Sequence, residues 1–71
     1  MTKINIESAE WNPDNQIICK IADCGEIGDS IAATRRKVTI ENCTEDQAIN
    51  QNVIDFFAEK GMQVVNNFKI N

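Results

Sequence analysis

The 71-residue chain has no histidine and no tyrosine, a single proline, a single tryptophan and three glycines. Without histidine it lacks the commonest base for activating a nucleophilic side chain and the nitrogen ligand found in many zinc sites. Positive charge is also scarce: seven Lys and Arg stand against eleven Asp and Glu, a formal net charge of −4. Affinity for a phosphate backbone depends on Lys and Arg displacing condensed counterions, so no nucleic-acid ligand is expected. Apolar runs stop at two or three residues, as in Phe56-Phe57-Ala58, whereas about 20 are needed to cross a bilayer. The start, Met1-Thr2-Lys3-Ile4-Asn5, carries no apolar signal-peptide core, and no membrane association is expected.

Three cysteines, Cys19, Cys24 and Cys43, make an odd count without the paired spacing of a secreted disulfide framework, which fits a reducing, cytoplasmic compartment. Cys19-x4-Cys24 with a distant Cys43 also lacks the tight pairs and fourth ligand of a zinc or iron–sulfur site, so these thiols are expected to be structural. Cys43 is the one thiol with an argument for reactivity, because it immediately precedes a predicted helix N-terminus. Asp23, Glu26 and Asp29 stand three apart around two glycines. They miss the alternate-position oxygens and closing Glu of a calcium loop and read as a solvated acidic loop. Gly25-x-x-Gly28 lacks the lysine and glycine spacing of a phosphate cradle. No cofactor, metal or catalytic residue is expected, and the chain reads as a non-enzyme.

What is present suits a folded unit. The apolar fraction of 42% and charged fraction of 25% are ordinary for a globular protein, and residues 1–71 have room for one domain. A chain this short buries only roughly 60% of the surface it exposes when unfolded, so a partner or a second copy is expected to complete it, most simply as a homodimer.

Ile4 and Ile6 alternate with polar neighbours toward Trp11, and Ile17, Cys19 and Ile21 alternate after Asn12-Pro13-Asp14-Asn15. Two strands joined by a proline-bearing turn predict a hairpin. Residues 23–34 fit no period and are expected to form a loop with a short irregular strand. Val38 and Ile40 then alternate with Lys37, Thr39 and Glu41 as a third strand. Thr44-Glu45-Asp46-Gln47 has the form of a capping box with two acids in the first turn. Ile49, Val53, Phe56 and Phe57 continue it as an apolar stripe, and Lys60-Gly61 supplies a stop, predicting a helix over 45–60. Met62, Val64, Phe68 and Ile70 alternate afterwards, with Asn66 the one polar member of that face and an expected bulge or end near Asn66-Asn67. The predicted fold is α+β: a small three- to four-stranded, mainly antiparallel sheet in the order β-β-β-α-β with the helix on one face.

Arg35-Arg36-Lys37 carries three of the seven positive charges, while residues 1–34 hold six acids and two lysines. The run is expected either to pair with those acids and guard a strand edge or, with Glu26 and Asp29, to dock a protein partner.

The spacing Ile6-x-x-Ala9-x-Trp11, a turn, Ile17-Ile18, then Asn52-Val53-x-x-Phe56-Phe57-x-x-x-Gly61-x-x-Val64 resembles small accessory proteins of tailed bacteriophages and prophages. The resemblance implies an assembly or accessory role, in the cytoplasm of a bacterial host or within a virion, and brings no catalytic residues. A non-enzymatic protein–protein interaction module is the first expectation. The alternative is a small acidic inhibitor of a host defence or nucleic-acid enzyme, with Glu7, Glu10, Asp14, Asp23, Glu26 and Asp29 set in a basic cleft.

Overall fold

In the computed structural model, which describes residues 2–25 and 34–71, the alternating segments are strands. Strands β1 (Thr2–Asn12) and β2 (Gln16–Gly25) pair antiparallel as the expected hairpin. At its tip the Asn15 N–H donates to the Asn12 carbonyl at 3.0 Å, and the Asp14 N–H to Asn12 Oδ1 at 2.9 Å. Asn15 then adopts a left-handed φ of 61°, a conformation asparagine tolerates better than most residues. A type I turn followed by one left-handed residue is a common three-residue hairpin loop. Two register shifts interrupt the ladder, between Lys3 and Ile4 and between Ile6 and Ser8, leaving Glu7 as an extra residue on β1.

Strand β3 (Thr34–Ile40) pairs antiparallel with β2, from Ile17↔Ile40 to Asp23↔Thr34. The irregular region predicted over 23–34 is corrected at both ends, because Asp23–Gly25 and Thr34 belong to strands. Their pairing comes from neighbours distant in sequence, Asp23 lying opposite Ile4 as well as Thr34. The rest of that region, including the expected short strand, lies outside the described residues.

The predicted 45–60 helix is divided. A 3₁₀ turn (Glu45–Gln47) is followed by helix α1 (Asn50–Glu59), with Ile49 extended between them at φ −121°, ψ 152°. The local capping signal closes on itself: the Thr44 N–H donates to Gln47 Oε1 at 3.1 Å and the Gln47 N–H to the Thr44 carbonyl at 2.9 Å. Asn52 Nδ2 donates to the Gln47 carbonyl at 2.9 Å, so the end of the short turn is bonded without continuing the helix. Ile49 becomes the residue before α1 and is 52% exposed, a correction to its place on the predicted stripe, whereas Val53 and Phe57 are fully buried. The stop is as predicted, with Gly61 at φ 79° directly after Lys60.

Strand β4 (Met62–Val64) runs parallel to β1, giving a four-stranded mixed sheet of order β3-β2-β1-β4 among the described residues. The α+β class and the β-β-β-α-β order are those read from the sequence. Val53 and Phe57 pack with Ile4, Ile6 and Ala9 of β1, Ile17, Cys19 and Ile21 of β2, and Ile40 and Cys43, with Trp11 and Phe68 at the margin. Full burial of each large apolar side chain stabilises the fold by about 1.5–3 kcal/mol. No described helix is long and apolar enough to cross a membrane.

The outer edge of β1 is occupied along its length. The Thr2 N–H donates to the Gly61 carbonyl at 3.1 Å and the Val65 N–H to the Ile4 carbonyl at 3.0 Å. Where β4 ends, the carboxamide of Asn66 replaces a strand residue: Oδ1 accepts the Ile6 N–H and Nδ2 donates to the Ile6 carbonyl, both at 2.9 Å. Asn71 resumes the ladder, its N–H donating to the Ala9 carbonyl and its carbonyl accepting the Trp11 N–H, each at 2.8 Å.

Candidate functional site

The opposite margin of the sheet is β3, an edge strand among the described residues, and it carries the Arg35-Arg36-Lys37 run. Strand periodicity puts successive side chains on opposite faces, so the three cations do not form one patch. Arg35 lies on the face away from α1, where its Nε donates to both carboxylate oxygens of Glu7 at 3.1 and 3.2 Å. The extra residue Glu7 in the β1–β2 ladder supplies that carboxylate. Arg36 lies on the helix side, opposite Ile21, where Nη2 meets Asp23 Oδ1 at 3.3 Å and Met62 Sδ at 3.8 Å. Both ion pairs are exposed, and each contributes at most about 1 kcal/mol.

Lys37 differs from its neighbours in the run. It stands directly opposite Lys20 of β2, and among the described residues neither lysine forms an ion pair. Like charges facing each other across a ladder are destabilising. Four residues further on, on the same face and just past the end of β3, Glu41 accepts a hydrogen bond from Gln16 Nε2 at 2.8 Å and has no described cationic partner. Between them Val38 is half-buried and Thr39 exposed. Of the predicted docking residues, the structure places Arg35, Arg36 and Lys37 on this edge; Glu26 and Asp29 lie outside the described residues. Sequence reasoning missed Glu41 as a member of the site. Its alternation with Lys37 and Thr39 was visible, but that β3 is an edge strand, and that Lys20 is its neighbour, are facts of pairing order.

Beside the end of β3 a shallow groove of about 350 Å³ opens toward α1, walled by Ile40, Cys43 and Phe56 and rimmed by Glu41, Asp55 and Glu59. Lys60 Nζ sits 4.9 Å above the Phe56 ring, which meets Phe57 edge-on at 5.3 Å. Of the strands, β4 is the one α1 packs closest to.

The cysteines are free and buried. Burial raises the Cys19 thiol from 9.0 to about 11, which disfavours the nucleophilic thiolate. Cys43, the thiol with the sequence argument for reactivity, is 6% exposed and precedes a three-residue 3₁₀ turn rather than α1. Its backbone is structural: the carbonyl accepts Trp11 Nε1–H at 2.8 Å and the N–H donates to the Asn15 carbonyl at 2.9 Å. Among the described residues no group of three or more Cys, Asp and Glu is arranged to hold a metal ion. In comparisons with known proteins, no family model matches the chain, and neither a curated protein nor a solved structure does so.

Proposed function

We propose that this chain is a non-enzymatic protein–protein interaction module that works through the edge strand β3, in an accessory or assembly role of the kind its phage-protein resemblance implies. One observation carries the reading: the two margins of the sheet are finished differently. The β1 margin is occupied from Thr2 to Trp11 by β4, Asn66 and Asn71. Beyond β3, with Thr34–Lys37 and Thr39 exposed, the described sheet has no further strand. An extended strand with open backbone groups recruits another chain through main-chain hydrogen bonds, and its alternate side chains supply selectivity. The inhibitor alternative draws less support. Of the four described acids it invokes, Glu7 and Asp23 are already engaged by Arg35 and Arg36.

The test is a photo-crosslinking amino acid at Thr39, with the same probe at the turn residue Asp14 as control, in cells producing the full chain. A polypeptide adduct specific to position 39 is expected. No adduct from that position, or equal yields from both, would remove β3 as the contact element.

A further inference from the structure

We infer that the strand docking on β3 is β3 of a second copy, paired antiparallel about a two-fold axis through Thr39, so that Lys37 of each copy faces Glu41 of the other. The inference rests on β3 being the contact element and adds the partner. An antiparallel pair related by a two-fold axis keeps both helices on one side of a continuous sheet and makes every contact twice. With Thr39 opposite Thr39, Val38 lies opposite Ile40 and Lys37 opposite Glu41. The helix side gains two apolar cross-strand pairs beside the groove walled by Ile40 and Phe56. The other side gains a Thr–Thr pair and two ion pairs, both of which favour strand pairing.

Charge selects this register. Arg35 and Arg36 already have carboxylates from their own chain, whereas among the described residues Lys37 faces Lys20 with no ion pair, and Glu41 has an amide rather than a cation as neighbour. The β2–β3 ladder thus places two like charges side by side and leaves an acid four residues away on the same face, just past the end of β3. A second copy, turned antiparallel, delivers that acid to the open side of Lys37. Moving the axis to Val38 would instead set Arg35, held by Glu7, against Glu41 and put Lys37 opposite Thr39, leaving the lysine pair unrelieved. The contact is short, so a weak, reversible dimer is expected.

The decisive experiment uses two opposite charge reversals, Lys37→Glu and Glu41→Lys, in sedimentation velocity across the micromolar to millimolar range. The wild-type chain is expected to dimerise. Each variant alone sets like charges against one another twice, and its dimer should weaken on the order of tenfold or more. An equimolar mixture restores both ion pairs and should recover a heterodimer of near wild-type affinity. A Thr39→Cys chain, whose new thiol would meet its symmetry mate, should form a disulfide-linked dimer under mild oxidation, and this readout survives if a charge variant folds poorly. A wild-type chain that stays monomeric, or a dimer that neither reversal weakens and Thr39→Cys does not trap, overturns the proposal. Should the Thr39 photoprobe then capture a different polypeptide, the interaction reading stands and self-pairing fails. With no adduct at all, both fail.

Discussion

The two margins of this sheet solve the same problem in different ways. At β1, polar backbone is taken up by three successive devices: a short parallel strand, a side-chain carboxamide standing in for a peptide, and the backbone of Asn71. At β3 the outer margin carries charged side chains and no described strand. The first margin shows what this chain does when an edge is to be closed, including placing Asn66 on an otherwise apolar face. On the proposed reading that contrast bears on the β3 margin, since a charged edge discourages indiscriminate pairing while admitting a strand of complementary charge.

The closed margin can be broken at its anchor or at its seam. Phe57, fully buried, fixes α1 and with it the chain leading into β4. Phe57→Ala should cost about 3–5 kcal/mol, a large share of the roughly 4–10 kcal/mol available to a domain of this length. A urea titration that shifts by less than half of that would mean the helix does not hold the β4 margin. Asn66→Ala leaves both polar groups of Ile6 without their partners, and Ile6 is 2% exposed. A loss of roughly 2–3 kcal/mol is expected, with faster amide exchange at Ile6 and little change at Val38. Exchange that rises equally on both margins would erase the distinction between them.

How much of this was legible depends on the range of the interaction. The hairpin, the third strand and the glycine stop were readable because Ile4 and Ile6, Ile17 to Ile21, and Lys60-Gly61 each carry their signal within a few residues. The predicted helix is five residues too long at its start. Thr44 and Gln47 form a genuine local motif, but it closes a 3₁₀ turn, and Ile49 is extended where the apolar spacing placed it in the helix. Asn66 was recognisable as the polar exception on its face, while its partner, Ile6, lies 60 residues away. The basic run was visible as a cluster, yet its division into two arginines with carboxylate partners and one lysine with none among the described residues depends on which strands are neighbours. Glu7 and Asp23 reach their arginines only through that order.

A smaller effect probes the joint that lets the chain pass from helix to closed margin. Gly61 holds φ 79°, its carbonyl accepts the Thr2 N–H, and a Cβ there would meet nothing within 4 Å. Gly61→Ala should therefore cost about 1 kcal/mol, from backbone conformation alone. A much larger loss in a urea titration would point to a packing role for this turn that its open surroundings do not supply.

The smallest change is the most discriminating, because its sign differs between folding and association. Lys37→Glu replaces the Lys20–Lys37 confrontation with an opposite-charge cross-strand pair. The monomer should gain roughly 0.2–1 kcal/mol in urea denaturation at low ionic strength, with the gain shrinking as salt is added. A lysine kept at position 37 for the stability of its own chain would give the reverse, a loss on substitution. Stability that rises while self-association falls would separate the two margins by purpose: one built to hold the fold together, the other carrying a local electrostatic cost that a partner relieves. If stability falls, or both quantities move together, Lys37 belongs to the fold of its own chain and the open edge loses its strongest electrostatic argument.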